Sequence, residues 1–155
     1  MKYPEMNIMR LTDGADAPLE LLYTADPSVE AVDDYLTRGE CFVGMVEGRL
    51  AGGYVLLPTR PFTAELVNVA VDERLQGRGY GKLLVNHAVA EARKRGYKTI
   101  EVGTGNSGMM QIALYQKCGF SITHVDVDFF RRHYAKPIFE NGMECRHMVR
   151  LSQDL

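Results

Sequence analysis

The sequence predicts an α/β fold of mixed type, in which one sheet of about six or seven strands carries helices on both faces. A pair of apolar segments near residue 50, joined by a tight turn, indicates an antiparallel hairpin. A strand–helix–strand unit at 64–103 has the length of a right-handed crossover between parallel strands. The 155 residues, 46% apolar and 25% charged, fit a single globular domain, 1–155.

The helices are predicted from the residues at their ends and from apolar spacing. Pro18 stands at a first-turn position that tolerates proline, and Ser28 is a typical N-cap residue. Gly39 ends the second helix, and Gly96 follows the basic last turn of a long third helix. In chain order we expect a strand at 7–11, helices at 19–25 and 29–38, strands at 41–47, 50–57 and 64–71, a helix at 79–95, a strand at 99–103, a helix at 107–118, and strands at 120–127 and 143–151.

Two proline positions are expected to end the hairpin. The turn Glu47-Gly48-Arg49 joins its strands, and Pro58 and Pro61 follow the second strand. Because proline lacks the N–H that a sheet ladder requires, we expect the strand to stop before Pro58.

Composition narrows the classes of function. A net charge of −2 gives no drive towards nucleic acid, and no apolar run reaches the ~18 residues that span a bilayer. The N-terminus lacks the features of a signal peptide, so we expect a cytoplasmic protein that does not associate with membranes. Cys41, Cys118 and Cys145 lack CxxC spacing and are expected to be reduced, mostly buried thiols, with no metal site.

A glycine-rich loop between a strand and a helix is the most informative segment. It contains Gly77, Gly79 and Gly81 at alternate positions, which leaves backbone N–H groups unshielded. The helix that follows adds the positive end of its dipole, so the loop is typical of a cradle for an anion such as pyrophosphate.

Three kinds of phosphate cradle compete for this loop. A Walker loop requires Ser or Thr after its Lys, whereas Leu83 follows Lys82. A dinucleotide fingerprint, GxGxxG, would require glycine where Lys82 stands, although Glu101 lies where a ribose-binding acid could be. That fingerprint normally follows the first strand of a domain, and here three or four strands precede the loop. A nicotinamide-dependent enzyme is therefore the weaker alternative.

The third kind fits. Residues 71–81 resemble the coenzyme A signature Gln/Arg-x-x-Gly-x-Gly/Ala of the GNAT N-acetyltransferases, with Gln76, Gly79 and Gly81 in its defining positions. The segment Ala-Leu-Tyr-Gln-Lys-Cys-Gly-Phe at 113–120 resembles the second motif of that family, most closely in its small bacillus-type members. The resemblance implies a GNAT fold and acetyl-CoA as co-substrate.

The resemblance also implies which residues bind the cofactor. The strand before the loop bulges in this family and frees N–H groups, and Asn68 stands among valines as a poor strand former. Asn106 stands nine residues before Tyr115, two more than the usual family spacing, with Gly108 in the usual position. The expected cofactor-binding residues are Val69, Val71, Gln76, Gly77, Arg78, Gly79, Tyr80, Gly81, Lys82 and Asn106.

Acetyl transfer to an amine requires a base for the ammonium and an acid for the departing thiolate. Glu65 stands thirteen residues before Arg78, as does the base glutamate of the histone-acetylating branch of the family. It is expected to share a strand face with Val67, Val69 and Val71, whose apolar side chains would raise its pKa. Tyr115 matches the family tyrosine that protonates the thiolate.

The sequence is compatible with more than one kind of acceptor for the acetyl group. Carboxylates beside aromatic rings would suit a cationic amine, whereas Arg131, Arg132 and His133 could bind an acceptor carboxylate. The expected function is N-acetylation of a primary amine of a small molecule, peptide or protein; a non-catalytic acetyl-CoA-binding module is the alternative. The family often dimerises, so a homodimer is possible. The acidic and aromatic candidates are Glu20, Asp33, Asp34, Asp126, Asp128, Phe129, Phe130 and Tyr134.

Overall fold

Seven strands form one mixed sheet in the computed structural model, which describes residues 2–155; Met1 of the predicted domain lies outside them. The strand order is β1-β2-β3-β4-β5-β9-β6, and only β4 and β5 are parallel. β7 and β8 form a separate two-stranded ribbon. The elements are β1 Met6–Arg10, α1 Leu19–Ala25, α2 Val29–Arg38, β2 Glu40–Val46, β3 Arg49–Arg60, β4 Thr63–Val71, α3 Tyr80–Lys94, β5 Thr99–Gly105, α4 Met109–Lys117, β6 Ser121–Asp126, α5 Phe129–His133, β7 Phe139–Glu140, β8 Met143–Glu144 and β9 Met148–Asp154.

Helices cover both faces of the sheet, which confirms the predicted fold class. Alternate residues of β3 enter two separate cores: Tyr54 and Leu56 face α3 and α4, whereas Val55 and Leu57 face α1 and α2. Leu84 of α3 is fully buried in the larger core. Truncating such a leucine to alanine typically costs about 2–5 kcal/mol of stability, so α3 is held firmly against the sheet.

The predicted ends of α1, α2 and α3 are confirmed to within one residue, whereas α4 begins at Met109, two residues later than predicted. Pro18 precedes α1, and the Ser28 hydroxyl accepts a hydrogen bond from the Ala31 amide at 3.2 Å, which caps α2. Gly96 follows α3 with φ +84°, a left-handed conformation that glycine adopts without steric cost. Local signals therefore set these boundaries.

The prediction that the hairpin stops before Pro58 is wrong. β3 continues through Pro58 to Arg60 and pairs with β4 there. β2 begins at Glu40, opposite Leu56, so the other edge of β3 is free beyond that point. Proline is tolerated on a free edge because no ladder hydrogen bond is lost.

The last part of the chain also differs from the prediction. The single strand expected at 143–151 is divided into β8 and β9, and β9 continues to Asp154. The short helix α5 and the ribbon strand β7 were not predicted. α5 begins after Asp128, whose φ of +64° turns the chain sharply out of β6.

The cysteines are free, and Cys41 and Cys145 are buried, as predicted, whereas Cys118 is half-buried. Within residues 2–155, no helix combines the length and the apolar character that crossing a membrane requires.

Candidate active site

β4 and β5 diverge half-way along their length. They pair only from Thr63 to Leu66 in β4. In the pairing of β3 with β4, Val55 lies opposite Asn68 and Leu56 lies opposite Leu66. Val67 therefore has no partner in β3 and is the extra residue of a β-bulge. Beyond the bulge, the last residues of β5 pair with β9 alone. The sheet therefore opens between two neighbouring strands.

A cavity of about 320 Å³ occupies this opening. Its walls come from the bulged part of β4, the end of β5, the end of α1, α4 and the segment that runs from α5 to β8. The cavity thus joins the two faces of the sheet at one place. The residues that line the wall include Asp26, Asn68, Val69, Tyr115, Phe130, Tyr134, Glu140 and Cys145.

Backbone groups of β4 point away from β3 into this opening. The Asp72 amide donates to the Ala51 carbonyl of β3 at 2.8 Å. Because peptide groups of successive strand residues point in alternate directions, those of Val71 and Val69 point away from β3. The side-chain amide of Gln76 donates to the Val71 carbonyl at 3.2 Å, which agrees with this direction. β5 has diverged here, so the N–H groups of Val69 and Val71 are free of a neighbouring strand.

The glycine-rich loop holds an open helix N-terminus beside β4. Gly77 and Gly79 have φ values of +77° and +86°. α3 starts at Tyr80, and its N-cap residue Gly79 offers no side chain to the first-turn N–H groups. No atom lies within 4 Å of where a Cβ of Gly77 or Gly79 would stand. The arrangement is a concave set of N–H donors at the positive end of a 15-residue helix, which suits a phosphate group.

The other loop residues differ in what they present. The Tyr80 side chain is buried and donates to the Pro4 carbonyl at 2.7 Å, so only its backbone faces the loop. A Cβ on Gly81 would lie 3.5 Å from Leu114, which places Gly81 at the contact between α3 and α4.

The two cations predicted to bind phosphate are on or beside the loop. Arg78 is exposed, and its guanidinium lies 5.1 Å from the centre of the Tyr3 ring. Lys82 is exposed in the first turn of α3. Both can approach an anion at the helix N-terminus.

Tyr115 of α4 lines the cavity. Its ring is buried and packs edge-on against Phe120, with 6.0 Å between the ring centres. Burial raises the pKa of Tyr115 to about 12. Within residues 2–155 its hydroxyl has no hydrogen-bond partner, so it is free to donate to a group in the cavity.

The structure gives Asn106 a structural position instead of an open one. Its Oδ1 accepts from the amides of Arg146 and His147, each at 2.8 Å, and its Nδ2 donates to the Glu144 carbonyl at 3.1 Å. Three of about four side-chain hydrogen-bonding sites are therefore occupied. Asn106 fastens the end of β5 to the segment before β9, and the arrangement does not support its predicted contact with the cofactor.

Glu65 is separated from two of the three valines predicted to share its strand face, Val69 and Val71. The bulge at Val67 reverses the alternation, so Val69 and Val71 pack in the α3 core while Glu65 faces the other side of the sheet. Its carboxylate accepts from the Arg150 guanidinium at 3.2 Å, and it is not part of the cavity wall. The geometry does not support Glu65 as the base.

A polar network beside the cavity was not predicted as part of the site. The Tyr134 and Tyr35 hydroxyls donate to the Asp26 carboxylate at 2.8 and 3.2 Å. Asn68 Nδ2 donates to the Tyr35 hydroxyl at 2.7 Å and to the Leu22 carbonyl at 3.1 Å. Asn68 and Tyr134 were expected to have other roles, and only the unusual asparagine among valines could have indicated a network here.

The two arginines of α5 are engaged in ion pairs, whereas His133 packs against the Phe129 ring. Arg131 lies 2.8 Å from Glu144, and Arg132 lies 2.7 Å from Asp126. Asp128 pairs with Arg146, which lowers the pKa of its carboxyl. The predicted arginine site for an acceptor carboxylate is therefore closed by partners. Of the predicted acidic and aromatic candidates, only Phe130 and Tyr134 line the cavity.

Comparison with known proteins agrees with this geometry. The Acetyltransferase (GNAT) family matches residues 11–120. An uncharacterized N-acetyltransferase of Bacillus subtilis, YvbK, is 57% identical over 140 residues, which are 90% of each chain.

Two solved structures resemble the chain over nearly its whole length. An IAA acetyltransferase from Bacillus cereus is 48% identical with a TM-score of 0.94, and the match covers 97% of this chain and 100% of the other. A Bacillus subtilis acetyltransferase in complex with CoA is 54% identical with a TM-score of 0.92, covering 97% and 99%. These matches and the open sheet beside the glycine loop lead to one assignment, which replaces the nicotinamide alternative: the chain belongs to the GNAT family of acetyltransferases.

Proposed function

We propose that the protein transfers the acetyl group of acetyl-CoA directly to a primary amine in the cavity between β4 and β5. One observation carries the proposal: the bulge at Val67 opens the sheet beside Val69 and Tyr115, and β4 leads from this opening to the uncapped N-terminus of α3. These three parts suit the carbonyl, the pyrophosphate and the sulfur of one acetyl-CoA molecule.

The loop and β4 would hold the donor. The first-turn N–H groups of α3, together with those of the loop residues Gly77 to Gly79, suit the pyrophosphate, with Arg78 and Lys82 as nearby cations. The N–H groups of Val69 and Val71 suit the pantetheine arm and the thioester oxygen. The structure with bound CoA, 54% identical, supports this assignment of the donor.

The reaction forms one bond and breaks one. The neutral amine attacks the acetyl carbon, the N–C bond forms as the C–S bond breaks, and the nitrogen loses its proton. Because Glu65 is held by Arg150 away from the cavity, we assign that proton to water in the open cavity. Tyr115, which its raised pKa keeps protonated, donates its hydroxyl proton to the departing thiolate and is reprotonated from solvent.

A direct transfer also agrees with the state of the thiols. Cys145 lines the cavity, but burial raises its pKa, and burial likewise raises the pKa of Cys118. A protonated thiol is a poor nucleophile. An acetyl-cysteine intermediate is therefore not part of the proposal.

Amine-dependent release of coenzyme A thiol tests the proposal. The purified protein would be incubated with acetyl-CoA and a set of candidate acceptors. These are primary amines, peptides with a free N-terminus, and IAA, the compound in the name of the Bacillus cereus relative. We expect thiol release that rises with the amine and an N-acetylated product in equal amount. Tight binding of acetyl-CoA without release for any acceptor would instead indicate a binding module.

A further inference from the structure

The charged side chains that line the cavity are all acidic. They are Asp26 and Glu140, and no Lys or Arg of residues 2–155 joins them. The nearest arginines described above are paired with carboxylates outside the cavity wall. Neither Asp26 nor Glu140 forms an ion pair within residues 2–155, so the cavity wall carries net negative charge, which favours a cationic ligand and disfavours a carboxylate.

The Asp26 carboxylate has one acceptor site left for a further hydrogen-bond donor. Its Oδ1 accepts from the Tyr134 hydroxyl and from the Ser28 amide at 3.1 Å, and its Oδ2 accepts from the Tyr35 hydroxyl. A carboxylate offers about four acceptor sites. One site on Oδ2 is unused, at a residue of the cavity wall whose position three hydrogen bonds fix.

Asn68 supplies a second, independent source of partial negative charge. The residue is 4% exposed and lines the cavity, and its Oδ1 has no hydrogen-bond partner within residues 2–155. Its orientation is fixed, because Nδ2 already donates to the Leu22 carbonyl and the Tyr35 hydroxyl. Buried polar atoms are nearly always paired, so this orphaned oxygen, although covered by protein, leaves uncompensated partial negative charge beside the cavity.

The chemistry of transfer locates the positive charge on the acceptor. The nitrogen that attacks is neutral at the moment of attack, so a positive charge that the acidic wall holds throughout the reaction belongs to a second nitrogen. We propose that the acceptor is a small diamine: one nitrogen attacks the thioester, while the other stays protonated and is bound by Asp26 Oδ2, with the partial negative charge of Asn68 Oδ1 close by. The rings of Phe130 and Tyr134 line the same wall and can face the alkyl chain and the ammonium. This inference rests on the proposed function and names its acceptor.

Three compounds of similar length test the proposal: 1,4-diaminobutane, n-butylamine and 4-aminobutanoate. They share the reactive amine and differ in the group at the other end. Because a charge-assisted hydrogen bond is lost without the second ammonium, we expect kcat/KM for the diamine to exceed that for butylamine by about ten- to a hundredfold. The carboxylate compound should be the poorest acceptor.

Two variants connect this preference to the site. Asp26→Asn should reduce the preference for diaminobutane over butylamine to within about threefold, because the second ammonium loses its anionic partner. Glu140→Gln should reduce the preference less. Asp33→Asn removes the same charge from an exposed position on α2, outside the cavity wall, and should leave the preference unchanged. Melting temperature and acetyl-CoA affinity, measured for each variant, show whether the fold and donor site persist.

Failure of this inference is distinct from failure of the proposed function. Equal use of butylamine and diaminobutane, or better use of 4-aminobutanoate, would overturn the diamine proposal while thiol release still supports acetyl transfer. An equal loss for both amines in Asp26→Asn would also overturn it, because the carboxylate would then act on the attacking nitrogen. If none of the three is acetylated or binds the complex with coenzyme A, the acceptor is not a diamine of this kind.

Discussion

The carboxylate of Glu65 accepts a hydrogen bond from the guanidinium of Arg150 at 3.2 Å, which joins β4 to β9 across the intervening strand β5. The side chains are 19% and 24% exposed, so the pair is partly shielded from water. We expect this contact, and not the chemistry of transfer, to account for the glutamate in the structure.

Replacement of Glu65 by Gln should therefore alter stability more than turnover. We expect kcat to stay within about threefold of wild type and the free energy of unfolding to fall by about 1 kcal/mol, as for a partly exposed ion pair. Steady-state kinetics and thermal denaturation measure the two effects. Glu101→Gln is the matched control, because Glu101 occupies the same register in β5 and pairs with Arg60 at 2.9 Å. A selective fall in kcat of a hundredfold for Glu65→Gln would restore it as the base.

Replacement of Gly79 by Ala should weaken coenzyme A binding. A methyl group would enter the open space above the helix N-terminus, where no protein atom lies within 4 Å. We expect the dissociation constant, measured by calorimetry, to rise about tenfold or more, a loss of about 1.4 kcal/mol.

Gly96→Ala is the control for that variant. Gly96 has nearly the same φ, +84° against +86°, and lies at the opposite end of the same helix. Both variants should lose about 1 kcal/mol of stability, because a left-handed conformation disfavours Cβ. Only Gly79→Ala should lose affinity; an equal loss in both would mean that the loop does not bind the phosphates.

Removal of the Tyr115 hydroxyl should slow transfer without altering donor binding. Tyr115→Phe keeps the ring contact with Phe120. We expect kcat to fall about a hundredfold, which is the lower end of the range for loss of a general acid. The effect is at this end because a thiolate leaves readily near neutral pH even without a proton. Tyr97→Phe, in the same core but outside the cavity wall, should be unaffected. Unchanged kcat in Tyr115→Phe would remove the tyrosine from the mechanism.

The pH dependence of the wild-type protein follows from the same residue. Burial raises the pKa of Tyr115 to about 12, so the protonated acid is present at all lower pH values and is lost only as the pH rises through about 12. The neutral fraction of the amine acceptor also increases with pH. We expect log(kcat/KM) to rise up to the pKa of the acceptor, with no falling limb below about pH 10. A falling limb between pH 7 and 9 would indicate a different acid.

The two tyrosines bound to Asp26 should contribute unequally to stability. Tyr35→Phe removes the acceptor of Asn68 Nδ2 and a donor to Asp26, whereas Tyr134→Phe removes only a donor to Asp26. We expect losses of about 2 and about 1 kcal/mol in the free energy of unfolding. Denaturant titration measures both, and a smaller loss for Tyr35→Phe would contradict the network.

Local signals predicted much of the fold. The bounds of α1 follow from Pro18, the cap of α2 from Ser28, and the crossover from the length of the segment between β4 and β5. Each of these depends on residues that are close in sequence, where steric and hydrogen-bonding preferences act directly. β3 passes Pro58 because its neighbour β2 begins only at Glu40, opposite Leu56. The residues around Pro58 do not encode where that neighbouring strand begins.

The site was harder to predict than the fold because it depends on distant residues. One extra residue, Val67, changes which face Val69 and Val71 occupy, and a period-two pattern cannot anticipate a bulge. Asp26 and Tyr134 are 108 positions apart and meet only in the folded chain. Asn106 matches a motif in sequence, yet its hydrogen bonds are used to hold the segment before β9.

A single-turnover experiment tests the central claim of direct transfer most directly. Excess protein would be mixed with acetyl-CoA, with and without 1,4-diaminobutane, and the acetyl group located by mass spectrometry of protein, cofactor and amine. We predict that it stays on coenzyme A without the amine and moves to the amine when present, with no acetylated protein at any time. Acetylated protein formed before the amine is added, with the group on Cys145 or Cys118, would contradict direct transfer.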